Sequence, residues 1–384
     1  MHKFIIILYF LPSLLFGQTT TELSLHSSYL NADRKIWVNT PEHYELRKDS
    51  LHLIFLLDGN NRSLFEYTVA SKRFLEHNAV DLSDFNTPES IIIGIEQSED
   101  RWDDFGDSLR SPLFQSFLEK ELIPYVNAHY RTVPYRILIG HSLAARFAIN
   151  TLLSQPDLFN AIIAASPAFP QKLTDKILAR FDMLLHTKLP HDKALFFSTT
   201  YLKDDNTEEG FRYFSESLVK SCKSNAVNNF RFQFNSSKTL GHGKSPYFSI
   251  PEGLHFIYDP SLWQLTTDSL FPNGNTSPAA VNRYQQRIQQ RFGIPVSIHP
   301  FATILADELV KQHKTKEAIA LLRTEAELQP TDINLFAQLL ALMKKYQSAD
   351  YSNYEAKLKS TFSELKLSQK EQNDWMDWIR ANSQ

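Results

Sequence analysis

Only one cysteine, Cys222, stands in a chain of 384 residues. One thiol closes no intramolecular disulfide and cannot furnish a Cys-rich zinc site, so a fold stable without disulfides is expected. An excess of positive charge is also missing: 40 Lys and Arg against 43 Asp and Glu leave a net charge of -3. That balance argues against a nucleic-acid partner, which would require a basic face. With 42% hydrophobic and 22% charged residues, the composition excludes both a disordered and a fibrous chain. The length accommodates one domain of about 250 residues and a smaller one.

A long apolar run is lacking too. Met1-His2-Lys3 precedes Phe4 to Phe16, an apolar stretch interrupted by Pro12 and Ser13 and closed by small Gly17. It is short for a bilayer span but has the basic start and apolar core of a secretory signal peptide, 1–17, with cleavage after Gly17; an uncleaved anchor is the alternative. No cysteine follows the apolar core to carry a lipid. The mature chain is therefore expected to be exported, periplasmic or secreted in a bacterium, with no integral membrane span.

Short apolar and β-branched runs recur at Ile36 to Val38, Leu53 to Leu57, Ile91 to Ile95, Ile137 to Ile139, Ala161 to Ala165, Ala194 to Phe197 and Phe230 to Phe234. Amphipathic segments such as Leu113 to Val126 and Phe211 to Val219 separate most of them. Continuous apolar strands alternating with helices predict an α/β fold with a mostly parallel sheet flanked by helices. The runs before Leu53 lack intervening helices and should form an antiparallel edge. This is the α/β-hydrolase layout, expected over 18–270.

The breaker-rich string Pro272-Asn273-Gly274-Asn275-Thr276-Ser277-Pro278 marks a linker, placed at 271–290, and helical periodicity dominates 291–384. Ala302 to Gln312, Lys316 to Leu328, the stop at Pro330 and Ile333 to Tyr346 resemble a tetratricopeptide repeat over roughly 50 residues, without its aromatic-glycine signature. A small all-α C-terminal region follows, either a cap on the hydrolase or a surface for a peptide or protein partner.

Gly140-His141-Ser142-Leu143-Ala144 lies between an apolar strand and an apolar-periodic segment running to Leu153. A serine at a sharp strand-to-helix turn needs small residues two positions away on either side, which Gly140 meets and Ala144 meets in part. The turn would leave the Leu143 N–H unpaired at the helix start, ready for an oxyanion. A serine that merely caps an ordinary helix is the plainer alternative.

A base and an acid decide between them. His242 lies in the glycine-flanked loop Gly241-His242-Gly243, after the last strand, where open parallel sheets place their sites. The acid is expected after the strand Ala194 to Phe197, with Asp205 first and Asp204 second; Glu208 and Glu209 look like first-turn helix residues favoured by the macrodipole. The order Ser, acid, His is that of α/β-hydrolases. A second oxyanion donor is expected from Gly59 or Asn60, where Asp58-Gly59 ends an apolar strand.

Together, Leu56-Leu57-Asp58-Gly59, Ile93-Gly94-Ile95 with Arg101 and Asp103-Asp104, Phe117 to Tyr125, Arg136 with the elbow, Ser166-Pro167, and Gly241-His242-Gly243 with Gly253-Leu254 carry a family resemblance. Between Leu23 and Tyr258 the chain resembles the Putative esterase family of α/β-hydrolases, which includes esterase D-like and enterochelin (siderophore) esterase-like enzymes. The resemblance implies hydrolysis of a small-molecule carboxylic ester through an acyl-enzyme, without metal or organic cofactor. Ala144 and Ala145 stand where the family carries glycine. They leave open a rival reading, a catalytically weakened hydrolase acting as an interaction module through its helical tail.

Overall fold

The computed structural model describes residues 19–77, 86–106, 109–187, 189–224, 229–263, 278–294 and 298–383. The signal peptide expected at 1–17 lies outside them. Among the described residues eight strands form one sheet: β1 (Thr19–Ser27), β2 (Ala32–Thr40), β3 (Leu51–Leu56), β4 (Ser90–Ile95), β5 (Thr132–His141), β6 (Ala161–Ala165), β7 (Lys193–Thr200) and β8 (Phe230–Ser237). Their order is β1-β2-β4-β3-β5-β6-β7-β8. β1 pairs antiparallel with β2, and β2 antiparallel with β4, while every later pair is parallel. The antiparallel edge and parallel body expected from the sequence are both present.

Side-chain alternation along these strands feeds two cores. Leu53, Phe55, Ile91, Ile93, Leu138, Ile162, Leu195 and Phe197 project to one face, while Ile54, Ile92, Ile137, Ile139, Ile163 and Phe196 project to the other. Because both faces are covered, the strands read as continuous apolar runs rather than alternating ones. β1 is the exception: it is mostly exposed and polar, TTTELSLHS, and carries little strand signal.

In chain order the helices are α1 (Arg62–His77), α2 (Arg101–Phe105), α3 (Ser111–Phe117), α4 (Ile123–His129), α5 (Leu143–Ser154), α6 (Gln171–His186), α7 (Asn206–Ser224), α8 (Pro246–Ile257) and α9 (Pro260–Trp263). A π-helical turn, Leu118–Leu122, joins α3 to α4 inside the segment expected as a single helix. Phe114, Phe147, Phe181 and Phe214 bring α3, α5, α6 and α7 to the first face. Phe65, Leu254 and Trp263 bring α1, α8 and α9 to the second. α8 approaches β6 closely at Gly253, where a Cβ would lie 2.9 Å from the Ile163 side chain.

The segment expected as a linker, 271–290, is described from residue 278 onward, and there it is α10 (Pro278–Phe292) rather than a loop. Val281, Tyr284, Ile288 and Phe292 are buried with Trp263 in the second core. Phe292 stacks on Trp263 at 4.3 Å, and the Tyr284 hydroxyl donates to the Trp263 carbonyl at 2.6 Å. The breakers before Pro278 suggested a linker, but the apolar spacing of 281, 284, 288 and 292 is that of a helix face. Beyond it α11 (Ala302–Lys311), α12 (Thr315–Leu328), α13 (Ile333–Lys345), α14 (Tyr351–Glu364) and α15 (Gln369–Ala381) build a third core around Leu322, Phe336, Leu340 and Leu358. No helix of the described residues is long and apolar enough to cross a membrane.

If α10 belongs to the main core, Phe292→Ala should destabilise the chain by about 3 kcal/mol, the usual cost of emptying a buried phenylalanine site. Urea unfolding measures it, and a loss below about 1 kcal/mol would place α10 outside the core.

Candidate active site

β5 ends at His141 and α5 begins at Leu143, leaving Ser142 to turn the chain with φ 59° and ψ -116°. For an L-residue this left-handed backbone is strained and needs outside support. The Ser142 N–H donates to the Ala165 carbonyl of β6 at 2.9 Å, and its carbonyl accepts from Arg146 N–H at 3.0 Å and Ala168 N–H at 3.1 Å. The turn therefore rests on the neighbouring strand and on its own helix. A Cβ at Gly140 would lie 2.5 Å from the Ala144 carbonyl oxygen and 2.7 Å from the Ala145 nitrogen. Crowding thus falls on residue 140, whereas the methyls of Ala144 and Ala145 are accommodated in the core. Alanine at those two positions leaves the elbow intact.

His242 opens a short 3-10 turn, His242–Lys244, after β8. Its Nε2 lies 2.8 Å from Ser142 Oγ, and its Nδ1 lies 2.7 Å from Glu208 Oε1. A carboxylate on Nδ1 selects the tautomer with Nδ1–H, which leaves Nε2 to accept the serine proton. Ser142, His242 and Glu208 form a continuous hydrogen-bonded chain.

The carboxylate on the ring is Glu208, not Asp205 as the sequence suggested, nor Asp204. β7 runs to Thr200 and α7 starts at Asn206, so Glu208 sits in the first turn of α7, as expected of it, but its side chain reaches back to the imidazole. Asp205 caps that helix. Its Oδ1 accepts from Thr207 N–H at 3.1 Å and Glu208 N–H at 3.4 Å, while its Oδ2 accepts the His242 backbone N–H at 2.8 Å. Asp204 is exposed with φ 67° and belongs to the turn. The aspartate is spent on backbone groups, and the longer glutamate spans the gap.

Burial pushes the Glu208 carboxyl up, yet hydrogen bonds from His242, Ser166 and Thr199 and the charge of His242 outweigh it and hold it below the usual carboxylate range. Hydrogen bonding to the His242 N–H, with the capped N–H groups, also lowers Asp205. His141, beside the serine, is pushed down to about 4 by burial, reinforced by the neighbouring His242 charge. It stays neutral at physiological pH and donates from Nε2 to the His242 carbonyl, 3.0 Å away.

Of the expected oxyanion donors, Leu143 holds the first position of α5, where helix geometry leaves the N–H without an intrahelical acceptor. Gly59 does not qualify: its N–H is bound to the Ile95 carbonyl at 2.7 Å, and its Cα packs against the Gly94 and Ile95 backbone. Asn60, the next residue, is exposed. The early loop is fastened to the elbow by Arg101, which donates to both oxygens of buried Asp58 at 2.8 and 2.7 Å and to the His141 carbonyl at 3.3 Å. A potential ligand cluster elsewhere, Glu76, His77 and Glu89, is already neutralised by Lys72, Arg73 and Arg47.

A left-handed serine between a parallel strand and a helix, on a sheet of this order, defines an α/β-hydrolase. The chain belongs to the Putative esterase family, whose sequence profile matches residues 27–293. A crystal structure of an IroE-like serine hydrolase from Shewanella oneidensis is similar, with a TM-score of 0.65 and 18% identity over 80% of this chain and 99% of that one. An uncharacterised protein from Capnocytophaga ochracea has a TM-score of 0.59 and 15% identity over 90% of this chain and 94% of its own. Uncharacterized protein YjcH of Bacillus subtilis is 27% identical over 195 residues, 49% of this chain and 78% of that protein.

Two outcomes follow from this geometry. Gly140→Ala should cost about 1–3 kcal/mol, because the methyl meets backbone that cannot swing aside; chemical denaturation checks it, and an unchanged midpoint would contradict the packing. The lowered His141 value means that the unfolded chain takes up the proton first as pH falls. Stability from a neutral His141 is complete above the ordinary histidine value of 6.5 and erodes between there and about 4. Wild type should therefore lose melting temperature relative to His141→Gln across that window, and a constant difference between the two would refute the assignment.

Proposed function

We propose that the chain is a serine esterase that hydrolyses a carboxylic ester through an acyl-enzyme, with Ser142 as nucleophile, His242 as general base and acid, and Glu208 as the acid of the triad. The observation that carries this reading is the unbroken path from Ser142 Oγ to His242 at 2.8 Å and from His242 to Glu208 at 2.7 Å. Family membership supports the choice of ester bond.

In the first half-reaction His242 Nε2 takes the hydroxyl proton as Ser142 Oγ attacks the ester carbonyl. The resulting oxyanion is met by the Leu143 N–H, with Asn60 as second donor; each donor contributes about 3 kcal/mol to the transition state. Glu208 stabilises the imidazolium without taking its proton. The tetrahedral adduct collapses, the alkoxide leaves with the His242 proton, and the acyl group remains on Ser142. Water, deprotonated by His242, then releases the acid and regenerates the serine. The apolar start of the sequence favours an exported enzyme acting on a small-molecule ester outside the cytoplasm.

Short p-nitrophenyl esters test the reading. Wild type should hydrolyse them, Ser142→Ala should lose at least about a thousandfold in kcat, and Glu208→Gln about a hundredfold or more because the neutral amide no longer enforces the tautomer. Equal rates for wild type and Ser142→Ala would overturn the assignment.

A further inference from the structure

His242 is held by its ring and also by both ends of its own backbone. Its N–H donates to Asp205 Oδ2 at 2.8 Å, and its carbonyl accepts from His141 Nε2 at 3.0 Å. The two tethers lead to different partners. Asp205 uses its other oxygen to cap α7, the helix that carries Glu208, and His141 immediately precedes Ser142 at the end of β5. Each side chain thus links the histidine loop to one of the two groups that His242 must meet.

The loop needs such support from elsewhere. Between Ser237 at the end of β8 and Pro246 at the start of α8, its one regular element is the 3-10 turn His242–Lys244, with Gly241 just before it and Gly243 within it. A Cβ at Gly243 would meet nothing within 4 Å, and one at Gly241 would meet Asp205 Oδ2 at 3.3 Å and Leu202 Cδ2 at 3.4 Å, so the backbone after His242 is open and the backbone before it has Asp205 and Leu202 as neighbours. Glycines on both sides leave the loop backbone free to wander unless hydrogen bonds fix it.

We infer that Asp205 and His141 act as a pair of positioning residues that clamp the His242 peptide from both sides and so set the register of the base between Ser142 and Glu208. The inference rests on the proposed triad. Neither side chain exchanges a proton with substrate; each fixes a distance that proton transfer depends on. Displacement of a reacting group by about 1 Å can cost a hundredfold in rate without loss of substrate binding.

Three variants of the full-length chain test the clamp. In Asp205→Ser the hydroxyl still caps α7 but is too short to reach His242 as well. His141→Leu removes the donor to the His242 carbonyl, and His141→Gln supplies an amide N–H in its place. Asp205→Ser and His141→Leu should each lower kcat on p-nitrophenyl esters about tenfold or more with KM within about twofold, and His141→Gln should restore most of the loss. Amide hydrogen exchange at His242, which needs no turnover, should be protected in wild type and at least about tenfold faster in Asp205→Ser. Unchanged exchange and kcat in Asp205→Ser would overturn the clamp, as would a His141→Leu defect that His141→Gln fails to relieve. Protected exchange in a wild type unable to cleave esters would instead count against the esterase reading, with exchange in Asp205→Ser still deciding whether the clamp exists.

Discussion

The backbone of Ser142 is the constraint on which the site depends. A left-handed conformation at a non-glycine residue is unfavourable by about 1–3 kcal/mol, and it persists only where surrounding groups over-determine it. Here a bond to β6 holds the N–H, two bonds hold the carbonyl, and Gly140 removes the one Cβ that would keep strand and helix apart. The side chain is thereby presented at the C-terminal edge of the sheet while the helix starts directly behind it. Everything else in the site is arranged to meet that hydroxyl.

From the opposite side come β7 and β8. Their C-terminal ends deliver α7 with Glu208 and the loop with His242, and the parallel pairing of β5, β6, β7 and β8 fixes how far apart these ends lie. Charge is managed locally. Glu208 is buried but receives hydrogen bonds from His242 and Thr199, and these hold its carboxyl below the usual range although burial alone would raise it. On the upstream side, Arg101 ties Asp58 to the His141 carbonyl and makes the early loop part of the same rigid assembly.

Much of this was legible in the sequence for reasons that are themselves physical. Strands buried on both faces read as apolar runs, and the elbow needs a glycine at a fixed offset from a serine, so β3 to β8 and Ser142 declared themselves. His242 stood out because glycines flank it. The acid did not, because Asp205 and Glu208 lie three residues apart at one helix start, and composition cannot tell which carboxylate caps the helix and which reaches the ring. An aspartate followed three residues later by glutamate is a helix-start signal that marks Asp205 as the cap; that the Asp205 N–H is taken by the Leu202 carbonyl and Glu208 turns to the ring is a tertiary fact the pattern does not carry. The same limit applied to Gly59, whose N–H is taken by a neighbouring strand, a tertiary fact with no local signature. β1 escaped notice because a polar, exposed edge strand carries no hydrophobic pattern, and α10 was hidden behind the breakers that precede it.

Reactivity of the serine is the most direct measure of the account. A fluorophosphonate needs an activated nucleophile and phosphonylates it covalently, so peptide mapping by mass spectrometry after labelling of the folded chain reports which side chain the site activates. A single modified residue, Ser142, is expected, with labelling abolished when the chain is first unfolded. Labelling at a different serine, or none in a folded chain, would contradict it.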